Sequence, residues 1–272
     1  MDNIKANHID IHESVEIGDN VQINCDSIKI GEFGKIGNNV KINCKSFEAG
    51  SWLYMCDDVE IGRGGCTGPN SNVKIGNRVG IFEGTIINPS ESVEIGDDVG
   101  IGGEVMIWTH GAWLDITQGF PSDFGPVKIG NNVWLPARSI VLPNVEIGNN
   151  TVIGIGSIIN RNIPEGCFAA GSPCKVLKEN CYPKKLTDKE KFNILEDIVK
   201  DYIELSAFKK LQVGIGVEPD QLTLNRKNGK QTVFNLKDRT IVGYEDKLSE
   251  DLRDYLRRRG IKIFTGKNFK SI

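Results

Sequence analysis

The feature that most constrains this chain is a six-residue repeat. The phrase Val-x-Ile-Gly-(Asn/Asp)-(Asn/Asp)-Val recurs at residues 15–21, 93–99 and 127–133. In the cleanest stretch, an aliphatic side chain stands at every sixth position: Ile129, Leu135, Val141, Ile147, Ile153 and Ile159. A step of six fits neither the 3.6-residue period of an α-helix nor an array of β-hairpins. It predicts a solenoid in which each hexapeptide forms one short strand and three strands complete one turn.

The repeat also predicts which residues form the core and the corners. The aliphatic residue and the residue two places before it should both point inward, because side chains alternate along a strand. Gly followed by Asn or Asp should form the corners, since these residues tolerate positive φ angles. About eight turns fit between residues 11 and 165, which corresponds to a prism about 38 Å long.

A change of composition divides the chain near residue 183. Residues 1–176 contain 26 Ile, 15 Val and 4 Leu, whereas the other 96 contain 8 Ile, 5 Val and 11 Leu. Ile and Val favour strands and Leu favours helices. Residues 1–183 carry 13 basic and 22 acidic side chains, and residues 184–272 carry 20 and 14. We therefore predict a mainly β solenoid domain over residues 1–183 and a small basic α+β domain of unknown role over residues 184–272.

The second domain should contain two helices and several strands. Apolar residues at helical spacing follow Thr187, and a short helix is predicted at 248–259. Between them, strands are predicted at 211–217, 221–224, 232–236 and 240–244, with an Asn228-Gly229 turn before the third strand. A further strand is predicted at 262–264.

Composition excludes several classes of function. A net charge of -3 does not indicate nucleic-acid binding, and no apolar run approaches the roughly 18 residues of a membrane span. The amino-terminal residues have no apolar signal-peptide core. Seven cysteines without a CxxC motif indicate neither a disulfide framework nor a zinc site. Free thiols fit a reducing compartment, so a cytoplasmic location is expected.

The longest interruption of the repeat is the loop 108–126. It contains two of the four tryptophans and His110, the only histidine beyond residue 12. Loops on rigid scaffolds often carry binding and catalysis, and histidine can accept a proton from a hydroxyl near neutral pH. His110 is therefore the candidate general base. Asp115 is a candidate to orient it or to contact an acceptor, or is a solvated loop carboxylate.

The repeat resembles that of the hexapeptide-repeat acyltransferase superfamily over about residues 11–178. The resemblance implies a left-handed parallel β-helix, although parallel crossover connections are in general right-handed. It also implies a homotrimer with active sites between neighbouring subunits. Within the superfamily, His110 followed 24 residues later by Trp134 is similar to the galactoside and maltose acetyltransferase branch. The resemblance assigns His110 as the catalytic base and Trp134 to coenzyme contact.

On the acceptor side the chain departs from that branch. The asparagine with which the galactoside enzymes contact their sugar falls on Gly84 here, beside Glu83. Glu83 either replaces this acceptor contact or is simply exposed.

The segment Ala170–Val176 resembles the closing segment of the same branch, where the chain leaves the prism beside bound coenzyme A. Cations on flexible side chains suit a nucleotide that carries three phosphate groups. A glycine on the coil would let the pantetheine arm approach the backbone. The residues assigned in this way to acetyl-coenzyme A are Trp134, Ala137, Gly154, Asn160, Arg161, Lys175 and Lys178.

We predict an acetyl-coenzyme A-dependent O-acetyltransferase of a sugar or glycan precursor, with direct attack on the thioester and no metal. An N-acetyltransferase of a nucleotide-linked amino sugar uses the same machinery and stays open as an alternative. A non-catalytic β-solenoid scaffold is a second alternative and would bind no acetyl-coenzyme A. A γ-type carbonic anhydrase needs three metal-binding histidines, and His8 and His12 are many turns away from His110.

Overall fold

The computed structural model describes residues 4–63, 66, 68–205 and 214–267. The chain divides into two compact units, Met1–Pro183 and Lys184–Ile272. We call the first unit the solenoid and the second the C-terminal unit. None of the helices in these described ranges is both long and apolar enough to span a bilayer.

The solenoid is a three-sided parallel β-structure. After the two long strands Ile4–Ile11 and Gln22–Ile30, face 1 continues with Ser46–Ala49, Asn72–Ile75, Val93–Ile95, Val127–Ile129 and Glu146–Ile147. Face 2 consists of Glu16–Ile17, Lys35–Ile36, Tyr54–Met55, Gly80–Ile81, Gly100–Ile101, Trp134–Leu135, Val152–Ile153 and Phe168–Ala170. Face 3 continues with Lys41–Asn43, Glu60–Ile61, Ile86–Asn88, Met106–Trp108, Ile140–Val141 and Ile158–Ile159. The final strand, Lys175–Lys178, pairs antiparallel with the end of face 2.

The register follows the six-residue repeat. On face 2, Ile81 pairs with Ile101, and Ile101 pairs with Leu135. These three side chains are fully buried, as the inward-pointing positions of the repeat predict. The eight parallel strands described on face 2 confirm a three-sided solenoid of about eight turns. The hand of the winding stays a prediction.

The Gly-Asn and Gly-Asp pairs form corners, where side chains of one turn accept hydrogen bonds from the backbone of the preceding turn. The Asp97 N–H donates to Oδ1 of Asn131, and the Asn131 N–H donates to Oδ1 of Asn149, both at 2.7 Å. Each corner side chain thus binds the backbone of the preceding turn. A Cβ on Gly96 would lie 2.4 Å from Oδ1 of Asn131, so the ladder requires glycine at this position. The residue that follows each Gly-Asp or Gly-Asn pair, such as Asp98 or Asn132, has a φ near +60°.

The outward surfaces of faces 1 and 3 differ in chemistry. On face 1, consecutive turns expose residues of alternating charge: Asp10, Lys29, Glu48, Lys74, Glu94, Lys128 and Glu146. On face 3, four consecutive turns carry Ile86, Met106, Ile140 and Ile158 in register; Ile86 is already buried within the chain, and the other three are partly exposed. We call these four residues the apolar column.

The C-terminal unit is α+β, as predicted. Helix α1 (Asp188–Leu205) precedes a four-stranded antiparallel sheet, which is followed by helix α2 (Lys247–Arg257). Leu222, Leu224 and Phe234 pack with residues of both helices in one apolar core. The strands are Gly214–Glu218, Gln221–Asn225, Gln231–Asn235 and Thr240–Gly243.

Two predicted strands of this unit need comment. The part of the first predicted strand at 211–213 lies outside the described residues. The strand predicted at 262–264 is wrong, because the segment forms no ladder. Phe264 donates a backbone hydrogen bond to the Arg239 carbonyl, while Ile263 is buried in the core.

Candidate functional site

The loop 108–126 leaves the solenoid at the corner between face 3 and face 1. We call this corner, residues 88–92, 108–126, 142–145 and 160–162, the His110 corner. The base of the loop is closed by a two-stranded antiparallel pair, in which His110 lies opposite Phe124. A short 3-10 helix, Ile116–Gln118, lies within the loop. Because the loop is a closed hairpin, its first residues are fixed to the solenoid.

His110 is half-buried at this corner. Its Nδ1 atom lies 2.9 Å from Oδ1 of Asn88 and 2.9 Å from Oγ of Ser90, both on the preceding turn. The imidazole stacks on Phe124, with ring centroids 5.6 Å apart, and meets the edge of Trp108 at 6.1 Å. The ring is therefore held on several sides and still reaches the surface.

Asn88 and Ser90 were missed in the sequence, although the repeat contained a signal for one of them. Ile87 pairs with Ile107 one turn later, a step of 20 residues. The same step of 20 residues separates Ser90 from His110. Counting one turn back from His110 would have identified Ser90 as its neighbour.

Asp115 does not orient His110. Its carboxylate caps the 3-10 helix instead, accepting hydrogen bonds from the Thr117 N–H at 2.9 Å and the Thr117 hydroxyl at 2.7 Å. The Gln118 side chain is a third donor. The hydrogen bond from the Thr117 hydroxyl contributes most to lowering the pKa of Asp115. The prediction that Asp115 orients His110 is therefore wrong, since Asn88 and Ser90 contact the imidazole, whereas the predicted contact of Asp115 with an acceptor stays a prediction.

Glu83 lies at a different corner. It is exposed between faces 2 and 3, in a segment that we call the Ala137 corner: residues 82–84, 102–104, 136–138 and 154–156. Glu83 lines a groove of about 410 Å³ together with Lys35, Tyr54 and Cys56. Within one chain, the structure does not bring Glu83 to His110.

Most of the residues assigned to the coenzyme lie on face 2 or at the Ala137 corner. Trp134 pairs with Val152, Val152 pairs with Phe168, and Phe168 pairs with Lys178. Lys175 lies opposite Ala170 in the same antiparallel pair. Asn160 and Arg161 are exposed at the His110 corner, two turns or about 10 Å beyond His110 along the axis.

The indole of Trp134 is 42 % exposed and lies beside Gly100 of the preceding turn. A Cβ on Gly100 would come within 2.6 Å of Cε3 of Trp134, so the ring occupies the space that a side chain would fill. Trp134 thus presents an aromatic surface on face 2, next to a position that has no side chain.

Glycine is required at position 154 for a structural reason that differs from the predicted one. A Cβ on Gly154 would lie 2.5 Å from Cβ of Ala170 on the next turn. The glycine is therefore required for packing within the chain, whereas the prediction rested on the approach of a pantetheine arm. Gly156 at the same corner has a φ of +70° and open space around it.

The three histidines do not converge. His8 pairs with Ser27 on the first turns, far from His110. In the ranges that the structure describes, no group of three His, Cys, Asp or Glu side chains could hold a metal ion. All seven cysteines are free thiols.

Comparison with known proteins identifies the repeat. Residues 126–161 match the family described as bacterial transferase hexapeptide (six repeats). Over 123 residues the chain is 39% identical to the Saccharomyces cerevisiae protein YJL218W, which is named as an acetyltransferase; the match covers 44% of this chain and 59% of that protein. Over 72 residues it is 42% identical to the galactoside O-acetyltransferase of Escherichia coli K12, covering 26% and 32% of the two chains. Both matches thus span less than two thirds of the relative's length.

Among solved structures, a galactoside acetyltransferase in complex with coenzyme A is similar to this chain. The sequences are 24% identical, and the TM-score is 0.35. The match covers 66% of this chain and 70% of that one.

Proposed function

Since the chain is a hexapeptide-repeat protein related to acetyltransferases, we propose that it transfers an acetyl group from acetyl-coenzyme A to a hydroxyl of a sugar or glycan precursor. The observation that carries this proposal is the His110 site. A half-buried imidazole stands at a corner of a rigid solenoid, and Asn88 and Ser90 hold one of its ring nitrogens. We assign the other nitrogen, Nε2, to face the substrate. Seven free thiols are consistent with a cytoplasmic location.

In the proposed mechanism, His110 acts as a general base. The imidazole accepts the hydroxyl proton while the hydroxyl oxygen attacks the thioester carbonyl carbon. The tetrahedral intermediate collapses by breaking the carbon–sulfur bond, and the imidazolium returns the proton to the departing thiolate. The products are the acetyl ester and free coenzyme A. This route needs neither an acyl-enzyme nor a metal.

We assign the coenzyme to face 2 and the adjoining Ala137 corner. Trp134 offers an aromatic surface there, and Ala137 and Gly154 place only small residues at the corner. Lys175 and Lys178 are exposed at the end of the same face, where they suit the phosphate groups. Asn160 and Arg161 extend the assignment to the His110 corner.

These assignments require a second copy of the chain. His110 lies between faces 3 and 1, whereas Trp134 lies on face 2, and one face of six residues spans about 20 Å. We propose a homotrimer in which the His110 corner of one subunit meets face 2 of its neighbour. Glu83 would approach an acceptor only across this boundary.

The outward surfaces indicate which face is covered in the trimer. The apolar column on face 3 suits burial between subunits, whereas the alternating charges of face 1 suit solvent. Met106→Lys should therefore give monomers in light scattering, while Lys74→Met on face 1 should leave the assembly unchanged. A monomeric wild-type protein with full activity would contradict the shared site.

The experiment that tests the activity measures the release of coenzyme A thiol with a panel of sugar hydroxyl and amine acceptors. His110→Ala should lower the rate by about 10²–10⁴-fold, the usual contribution of a general base. His12→Ala is the matched control and should have no effect. Near wild-type activity of His110→Ala would overturn the mechanism, and a preference for amines would favour N-acetylation.

A binding measurement separates the enzyme from a scaffold. Acetyl-coenzyme A should raise the unfolding temperature of wild-type protein and of His110→Ala alike, because a ligand of the native state stabilises it. A scaffold without a coenzyme site would show no shift in either protein.

A further inference from the structure

We propose that Asn88 is a positioning residue, which holds His110 in the tautomer protonated on Nδ1 and thereby makes Nε2 the basic nitrogen. The inference rests on the proposed role of His110 as general base. It assigns a specific task to a residue of the preceding turn that touches neither hydroxyl nor thioester.

The contact between the two side chains determines where the proton lies. Oδ1 of Asn88 is 2.9 Å from Nδ1 of His110. An amide oxygen can only accept a hydrogen bond, so Nδ1 must be the donor and must carry the proton. In a neutral imidazole the other nitrogen, Nε2, then holds the free lone pair.

The orientation of the Asn88 amide is fixed by its other end. The Nδ2 group donates to the backbone carbonyl of Arg63. Exchanging the amide oxygen and nitrogen would place two acceptor oxygens against each other at that contact, which is unfavourable. The hydroxyl of Ser90 supports the same assignment, since it donates to Oδ1 of Asn88 at 3.2 Å. Its oxygen is then available to accept from Nδ1 of His110.

Burial makes Asn88 a rigid partner. The residue is fully buried at the end of strand Ile86–Asn88, and its own carbonyl accepts the Thr109 hydroxyl at 2.7 Å. Breaking a buried hydrogen bond leaves an unsatisfied polar group, so the amide has a strong reason to keep this geometry. Thr109 immediately precedes His110, which ties the histidine backbone to the same asparagine.

An amide positions the imidazole without adding a charge to it. A carboxylate at the same place would favour the imidazolium and so reduce the fraction of neutral imidazole that can accept a proton near neutral pH. Among the described residues, the elements around His110 carry the titratable side chains Arg63, Cys66, Glu91, Asp115 and Asp123. Of these, Glu91 accepts a hydrogen bond from Asn70 at 2.9 Å.

The tautomer can be measured without any acetyl transfer. The chain has three histidines, so long-range ¹H–¹⁵N spectra of protein labelled at histidine contain three ring systems, and His110→Ala identifies one of them. We expect His110 of the wild-type protein to be protonated on Nδ1. Asn88→Leu should give a mixture of tautomers, while Asn88→Asp should keep Nδ1 protonated. Asn43→Leu is the matched control, because Asn43 occupies the equivalent face 3 position two turns earlier.

Kinetics provide the second readout. Asn88→Leu should lower kcat at least tenfold, and by no more than the about 10²–10⁴-fold that general base catalysis supplies. Its KM for acetyl-coenzyme A should stay within twofold, and Asn43→Leu should match wild type. Asn88→Asp should shift the pH profile of kcat to higher pH, because the carboxylate raises the pKa of the imidazole.

The outcomes separate this inference from the proposed function. Protonation of wild-type His110 on Nε2 overturns the role of Asn88, whatever the activity. An unchanged tautomer in Asn88→Leu has the same consequence. An Nδ1 tautomer combined with an active His110→Ala instead refutes the proposed function and leaves the structural assignment in place. If Asn88→Leu does not fold, the spectra of the wild type and of Asn88→Asp still test whether His110 is protonated on Nδ1.

Discussion

Ser90 and His110 lie one turn apart at the same corner of the solenoid, with Oγ of Ser90 2.9 Å from Nδ1 of His110. The loop that carries His110 is long and aromatic, whereas Ser90 belongs to the regular turn beneath it. The candidate base is therefore anchored to the rigid part of the fold.

We expect Ser90→Ala to lower kcat by about 2- to 13-fold, the equivalent of a hydrogen bond worth roughly 0.5–1.5 kcal/mol. The KM for acetyl-coenzyme A should not change, since the Ser90 hydroxyl contacts the His110 imidazole and Asn88 and none of the residues assigned to the coenzyme. Steady-state kinetics check this. Ser14→Ala is a matched control, because Ser14 makes the same kind of contact with His12 at 2.8 Å. An equal loss in both variants would point to a general loss of stability.

Gly100→Ala should displace the indole of Trp134, whose Cε3 lies 2.6 Å from the position of the new Cβ. We expect the KM for acetyl-coenzyme A to rise about 2- to 13-fold, as for the loss of an aromatic contact worth roughly 0.5–1.5 kcal/mol. Coenzyme titrations measure this effect. Gly80→Ala, at the equivalent position one turn earlier, has its nearest neighbour at 3.4 Å and should leave KM unchanged. Unaltered affinity in Gly100→Ala would remove Trp134 from the coenzyme site.

Gly96→Ala should destabilise the solenoid by about 1–3 kcal/mol, because its Cβ would force the Asn131 side chain away from the Asp97 N–H. Thermal unfolding followed by circular dichroism measures the effect. Gly111→Ala is the control, since a Cβ there meets nothing within 4 Å. Equal unfolding temperatures for the two variants would contradict the corner ladder.

Alkaline pH should destabilise the solenoid through Cys56. Burial is the main cause that raises the pKa of this thiol to about 12, and the nearby Glu83 carboxylate adds to the effect. An exposed thiol of the unfolded chain ionises near pH 8.5. Above that pH the folded state binds more protons than the unfolded state, so the free energy of unfolding falls as the pH rises toward 12.

The difference between wild type and Cys56→Ala measures this contribution. The slope of the unfolding free energy between pH 9 and 11 should be steeper for wild type by up to about 1.4 kcal/mol per pH unit. Denaturant titrations at several pH values provide the slopes. Parallel slopes would show that Cys56 ionises equally well in the folded chain.

Asp246→Ala should destabilise the C-terminal unit by about 2–4 kcal/mol. Asp246 caps helix α2 through the N–H groups of Leu248 and Ser249 and pairs with Arg226 at 2.7 Å. Arg226 is nearly buried, so its charge would lose its partner. Hydrogen exchange at residues 214–267 should rise, while exchange in the solenoid should not.

The same pair gives the C-terminal unit an acid sensitivity. The Arg226 guanidinium is the main cause that lowers the pKa of Asp246 below its ordinary value. The contribution of this carboxylate is therefore complete above about pH 4, the pKa of an unfolded aspartate, and is lost as the pH falls through the lowered pKa. Asp246→Ala should remove this part of the acid dependence. Identical acid unfolding of the two proteins would contradict it.

Much of the architecture could be predicted from residue spacing. The aliphatic positions at Ile129, Leu135 and Val141 define three faces. Side chains alternate along a strand, so each short strand forms one face and points its aliphatic residue into the core. Composition also separated the helical C-terminal unit from the solenoid. The error at residues 262–264 arose because an apolar alternation such as Ile261–Ile263 is satisfied equally by an extended segment that only packs on a core.

The sequence by itself determined the repeat, the corners and the loop that carries His110, because each follows from a local rule of periodicity or backbone conformation. Only the tertiary structure decided which side chains meet. It placed the Asn88 amide against His110, gave Asp115 to a helix cap, and put Glu83 and Trp134 away from the His110 corner. Stacking of turns brings residues about 20 positions apart within hydrogen-bond distance of each other. Inserted residues change that step from turn to turn, so spacing alone does not specify the partners.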